Sequence, residues 1–230
     1  MARYFPAYDE FEQLAQRGNT IPVYCQLLAD HLTPVMAFMA LSADSPHAFL
    51  LESVVGGENI ARYSFLATHP TMTFEATREQ IRIQGPDGLK EETSPDPLSR
   101  LSELLASFQA VANPDLPRFT GGLVGYAGYD VVRYYEPLPN PPEDDRQLPD
   151  LLFGLYDNMV VFDHVRKTIL VISNAHVDTD GVERGYQKAC DRIAATIERL
   201  SAPQRARIGH IERQGDPTLP FTANFTRAGF

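Results

Sequence analysis

Residues 47–84 read HAFLLESVVGGENIARYSFLATHPTMTFEATREQIRIQ. Four runs rich in β-branched, aromatic and aliphatic residues (47–54, 61–68, 71–77 and 80–84) are separated by Gly56-Gly57, His69-Pro70 and Arg78-Glu79. Short runs punctuated by turn residues predict consecutive strands of a meander, and therefore antiparallel sheet. Gly85-Pro86-Asp87-Gly88 closes the stretch as a further turn.

Outward from this stretch the pattern alternates between helix and strand. Residues 9–18 predict a short amphipathic helix with Tyr8, Phe11, Leu14 and Ala15 on one face and Gly18 as its stop. Residues 20–28 predict a strand. Thr33-Pro34 supplies an N-cap and a first-turn proline for a helix reaching Leu41. Asp96-Pro97 does the same for a helix carrying Leu98, Leu101, Leu105 and Phe108 on one stripe. Residues 121–135 predict a glycine-rich strand running into a helix, and 136–150 a proline-rich acidic loop. Residues 151–164 and 168–174 predict a hairpin about Val165-Arg166-Lys167. A long helix follows over 181–200, with Val182, Tyr186, Ala189, Ile193, Ile197 and Leu200 in register. The fold class expected is α+β: largely antiparallel sheets packed with helices. Residues 1–200 are expected to form one α+β domain and 201–220 a linker. At 221–230, Asn224-Phe225-Thr226 approaches a helix that would open a further domain.

Composition narrows the function. Of 230 residues, 43% are hydrophobic and 22% charged, enough to bury a core. A formal net charge of −10 opposes binding to nucleic acid or anionic membrane. The N-terminus lacks an apolar signal region, and no run approaches the length of a membrane helix. Cys25 lies in an apolar run and Cys190 on the apolar side of a helical pattern. They read as two buried thiols of a reducing cytoplasm, with a disulfide as the alternative.

Motifs for chemistry are few. The six histidines form no zinc pattern, and there is no nucleophile elbow or Walker lysine. His176 and Asp178 read as a polar loop, and Glu143-Asp144-Asp145 as a solvated charge run. The run Gly121-Gly122-Leu123-Val124-Gly125-Tyr126-Ala127-Gly128 departs from GxGxxG, so its glycines read as sites of close backbone packing rather than a phosphate cradle. Glu52 and Ser53 interrupt an apolar strand before a glycine turn, and Arg62 and Ser64 begin the return strand. A carboxylate, a hydroxyl and a guanidinium at one sheet end match the ammonium and carboxylate of an amino acid. A surface Glu–Arg pair of little energetic weight is the plainer reading of the same spacing.

The segment LLESVVGGENIARYSF (50–65) resembles the LLES-containing region of anthranilate synthase large subunits. GGLVGYAGYD (121–130), DLLFGLYDNMVVFDH (150–164) and NFTRAGF (224–230) agree in order, the last resembling the opening of that family's catalytic region. In that family the Glu-Ser site lies in the pocket for the feedback inhibitor tryptophan. The resemblance therefore implies tryptophan binding at Glu52 and Ser53, with Leu51 and Val54 beside them, and with Arg62 and Tyr63 as weaker transfers. It implies a parent lyase that converts chorismate and ammonia to anthranilate and pyruvate with Mg2+, in the biosynthesis of an aromatic amino acid. It also implies a glutamine amidotransferase partner and a C-terminal chorismate-binding domain. The Mg2+ and catalytic groups of the family lie beyond Phe230, so no catalytic residue, metal ligand or cofactor is expected within this chain. The glycine motif is shared with aminodeoxychorismate synthase, a second reading leading to folate. A stand-alone amino-acid-binding module is a third.

Overall fold

A computed structural model describes residues 3–28, 31–52, 62–140 and 143–202, together with Thr222 and Thr226. The sequence readings of Ser53, Val54, the Gly56-Gly57 turn and the 203–220 part of the linker lie outside the described residues, as does the 221–230 segment apart from those two threonines.

The strands are β1 (Thr20–Leu28), β2 (Ala48–Glu52), β3 (Tyr63–Thr68), β4 (Met72–Thr77), β5 (Gln80–Gly85), β6 (Gly88–Thr93), β7 (Gly122–Ala127), β8 (Leu151–Tyr156), β9 (Asn158–Asp163) and β10 (Thr168–His176). The helices are α1 (Tyr8–Leu14), α2 (Pro34–Ser42), α3 (Pro97–Ala106), α4 (Val177–Asp180) and α5 (Val182–Ser201), with a 3-10 helix at Tyr129–Tyr134. Two five-stranded sheets result, ordered β1-β10-β9-β3-β2 and β6-β5-β4-β8-β7. All of their ladders are antiparallel, as expected, but residues 47–84 are not one meander: β2 and β3 pair in the first sheet, β4 and β5 in the second.

Local chemistry starts the helices where expected. The Thr33 side chain accepts a hydrogen bond from Met36 N–H, and that of Asp96 from Ser99 N–H, each with proline in the first turn. In α3 the buried face differs from the expected stripe. Leu101 is buried with Leu98 and Leu104 beside it, while Leu105 is 45% exposed. In α5, Ala189, Cys190, Ile193 and Leu200 are buried, and Val182, Tyr186 and Ile197 pack with them. Both cysteines are free and buried.

The first sheet is covered on one face by α1, α2 and α5, burying Phe11, Ile21, Val23, Leu66, Val160 and Val171. Its other face buries Met159, Val161, Leu170 and Ile172, fringed by Phe49, Tyr63, Phe65 and Phe119. The second sheet packs on α3 through Phe74, Ala76, Ile81 and Leu151.

The expected single strand 151–164 is instead two strands in different sheets, broken at Asp157. Beside it, β3 and β4 change sheets at His69-Pro70, where His69 adopts φ 54°. Asp157 is buried and fastens this double corner. It accepts from Thr71 Oγ1 at 2.9 Å, lies 2.8 Å from His176 Nε2, and its carbonyl accepts from Asn174 N–H. His176 and Asp178 thus belong to this polar framework, Asp178 accepting from Asn19 Nδ2. The glycine run forms β7, paired with β8. A Cβ at Gly125 would sit 1.9 Å from the Leu152 carbonyl oxygen, so close backbone approach is what this glycine serves. Among the described residues no helix is long and apolar enough to cross a membrane.

Candidate functional site

The site lies where β2, β3 and β9 end together. Strand β2 pairs with β3 in the register Leu51↔Phe65 and Glu52↔Ser64. Side chains alternate across a strand, so Leu51 lies on the aromatic face beside Phe65, and Glu52 on the helix-covered face beside Ser64. Leu51 and Glu52 are both exposed. The rings of Tyr63, Phe65 and Phe119 form a row, with centroids 5.8 Å and 5.5 Å apart. The rings are tilted against one another by 46° and 66°, and this half-buried row offers a ridged apolar surface next to Leu51.

Arg62 crosses above the Tyr63 ring, its guanidinium carbon 4.8 Å from the centroid. Its Nε and Nη2 donate to the Asp163 carboxylate, the shorter bond being 2.8 Å. The carboxylate partner of Arg62 is therefore Asp163, brought beside Tyr63 by the β3–β9 register. Asp163 is nearly fully buried and also accepts from the N–H groups of Val165 and Arg166, closing the β9–β10 turn. Burial pushes its carboxyl up, but the hydrogen bonds from Arg62 and the turn N–H groups outweigh this and hold it below its ordinary range. The same bonds raise the Arg62 guanidinium.

The depressed carboxyl gives a pH signature. The native pair stabilises the fold fully above the unfolded carboxylate value of about 4, and this stabilisation is lost as pH falls through the lower folded value. Asp163→Asn is expected to lower stability at neutral pH by about 1–3 kcal/mol. Denaturant titrations of both proteins should converge below about pH 4. A gap that persists unchanged into acid would show that the ion pair is not its source.

Ser64 is 1% exposed, and its Oγ lies 2.7 Å from His164 Nε2. A hydroxyl beside an imidazole resembles a nucleophile–base pair, but here the Ser64 hydroxyl is buried away from any substrate while His164 is half-buried. The structure thus gathers Leu51, Glu52, Arg62 and Tyr63 at one sheet end. It keeps Ser64 there, buried, and adds Asp163 and His164, which sequence reasoning missed. The only signal for these two was the Asp163-His164 pair closing an apolar strand. The Mg2+ implied by the resemblance finds no fit here: among the described residues no three His, Cys, Asp or Glu side chains converge on a metal site.

Comparison with known proteins places this geometry in a family. The chorismate binding enzyme family matches residues 46–222. Anthranilate synthase component 1 of Acetivibrio thermocellus is 40% identical over 196 residues, covering 85% of this chain and 39% of that protein. Its counterpart in Pseudomonas aeruginosa is 38% identical over 230 residues, covering 96% of this chain and 45% of that protein. The crystal structure of anthranilate synthase component I from Streptococcus pneumoniae is 30% identical with a TM-score of 0.52, covering 77% of this chain and 36% of that one. The chain therefore spans about two-fifths of the length of these relatives. With the family matched over most of its residues and the two-sheet α+β fold in agreement, the chain belongs to the chorismate binding enzyme family.

Proposed function

We propose that this chain is the tryptophan-sensing portion of an anthranilate synthase component 1 and works in the cytoplasm as part of a longer enzyme. The observation carrying this reading is the meeting of Leu51, Arg62 and Tyr63 over an aromatic row, with Glu52 at the same sheet end on the opposite face, in a chain similar to anthranilate synthase component 1 along most of its length. In this reading the tryptophan ammonium binds Glu52 and the Ser53 hydroxyl, with Val54 adjoining. The indole lies on the aromatic row beside Leu51. The carboxylate reaches Arg62, sharing the guanidinium with Asp163. The parent reaction turns chorismate plus ammonia, or glutamine through an amidotransferase subunit, into anthranilate and pyruvate with Mg2+. The part of the relatives' length that this chain does not cover supplies the chorismate-binding groups. Tyr126, Tyr129 and Tyr135, all exposed around β7 and the 3-10 helix, offer that part a surface.

The glycine motif that forms β7 is shared with aminodeoxychorismate synthase, which keeps a second reading in view. Both are tested in two steps. The chain alone, given chorismate, ammonia and Mg2+, is expected to yield no anthranilate fluorescence above background. Joined to the remaining region of its own subunit, it should yield anthranilate that tryptophan suppresses. Fluorescence from the chain alone would refute the division of labour, and aminodeoxychorismate as product would select the second reading.

A further inference from the structure

Strands β1 and β2 are the opposite edges of the first sheet. The outer edge of β1 is partly covered. Phe5 and Tyr24 exchange backbone hydrogen bonds of 2.8 and 2.7 Å. Thr20 donates to the Gln109 carbonyl and accepts from Val111 N–H. Residues two apart on a strand point their backbone groups the same way, so Pro22 faces the gap between these two covers. It has no N–H to offer, and its carbonyl has no hydrogen-bond partner among the described residues.

A cleft of about 230 Å³ opens at this gap, between α1 and the loop that follows Val111. Pro22 and Tyr24 line it from the strand, and Asp115 from the loop. Asp115 is held in place from both sides: its N–H donates to Asn113 Oδ1 at 2.9 Å, and Leu116 beside it is buried. Glu10, Leu14 and Arg17 line the cleft at intervals of four and three residues along one stripe of α1 and the turn after it. Tyr24 is 8% exposed, yet its hydroxyl has no hydrogen-bond partner among the described residues and is not sealed from solvent. Burial first, then the charges of Asp115 and Glu10, hold that hydroxyl above its ordinary range, so both carboxylates lie within electrostatic reach of it. Neither carboxylate has a hydrogen bond or ion pair among the described residues. A carbonyl, a phenol oxygen and two carboxylates therefore gather at one place, all able to accept, and an ammonium group has three donors to give. Arg17, also without a carboxylate partner among the described residues, stands seven residues beyond Glu10, about 10 Å along the stripe at 1.5 Å per residue.

We infer that this cleft binds a short ω-amino acid, its ammonium held by Glu10, Asp115, the Tyr24 hydroxyl and the Pro22 carbonyl, and its carboxylate by Arg17. The methylenes between lie against Pro6, Leu14 and Val111, which complete the lining. The volume equals roughly seven to eight waters at about 30 Å³ each, which suits 4-aminobutanoate with its seven non-hydrogen atoms. The formal net charge of −10 draws the cationic end toward the chain.

Isothermal titration of the chain with 4-aminobutanoate, butylamine and butanoate tests this. 4-Aminobutanoate should bind at least tenfold more tightly than either of the others, because only it engages both ends. Asp115→Asn and Glu10→Gln should each weaken its binding about tenfold or more, and Tyr24→Phe, which keeps the buried ring, about three- to tenfold. Arg17→Gln should remove the advantage over butylamine while leaving butylamine itself unchanged. Glu10, Arg17 and Asp115 are exposed, so their variants are expected to fold as the parent does. Glu79→Gln, at an exposed carboxylate of the β4–β5 turn, should change nothing. Absence of heat from both 4-aminobutanoate and butylamine would overturn the inference. Binding indifferent to Asp115→Asn and Tyr24→Phe would overturn it equally, and an equal loss in Glu79→Gln would reduce it to attraction by net charge.

Discussion

Replacing Ser53 by phenylalanine in the complete subunit is expected to raise the tryptophan concentration for half-inhibition at least ten- to hundredfold while leaving uninhibited turnover near its original value. Losing one hydrogen bond to a charged ligand group costs about 1.5–3 kcal/mol, which is that change in affinity. The phenyl ring adds bulk next to Glu52 in the sequence, at the end of a strand that among the described residues pairs only with β3. Uninhibited activity should persist because the reading assigns no catalytic group to this sheet end. Steady-state kinetics across a tryptophan series reads both quantities. Inhibition unchanged by the substitution would remove Ser53 from the site. Turnover falling in parallel with inhibition would point to damaged folding rather than damaged sensing.

The second large effect is on stability. Gly125→Ala would place a methyl 1.9 Å from the Leu152 carbonyl oxygen and 2.6 Å from Phe153 Cα. Both contacts are backbone, so no side-chain rotation relieves them. Strand β7 would have to pull away from β8, weakening a ladder that runs from Gly122↔Tyr156 to Ala127↔Leu151. A cost of about 3 kcal/mol is expected, at the upper end for overpacking. For a chain of this length it corresponds to a loss of roughly 10 °C in Tm. Gly85→Ala is the control, since a Cβ there meets nothing within 4 Å. Equal melting temperatures for the two variants would show that β7 is not held as closely as described.

What could be read from the sequence, and what could not, divides along physical lines. Signals carried by neighbouring residues were legible: the Thr33-Pro34 and Asp96-Pro97 helix starts, the β9–β10 hairpin, and the stripe of α5. The break at Asp157 was not, because both sheets bury their strands and Asp157-Asn158 interrupts the apolar run without a glycine or proline turn signal. Strand β6 was missed because it is an almost wholly exposed edge, rich in Lys90, Glu91 and Glu92, and shows no alternation. Leu104 replaces Leu105 in the core because the second sheet sits slightly to one side of the expected α3 stripe. At the site, Arg62 was legible as a polar residue at a strand start. Its partner was not, since Asp163 lies 101 residues away and arrives only through the β3–β9 pairing. The tryptophan role proposed for Leu51, Glu52, Ser53 and Val54 came from resemblance; on spacing alone a surface ion pair was the plainer reading.

The central claim is that tryptophan is sensed at the joined ends of β2 and β3. A titration of tryptophan into the isotopically labelled chain, followed by amide NMR, tests it most directly, because chemical shifts locate even weak binding. The account predicts shifts concentrated at Leu51, Glu52, Ser53, Arg62 and Tyr63, with phenylalanine producing smaller changes at the same amides. Tryptophan that leaves these amides unmoved, or that shifts only residues elsewhere in the chain, would contradict it.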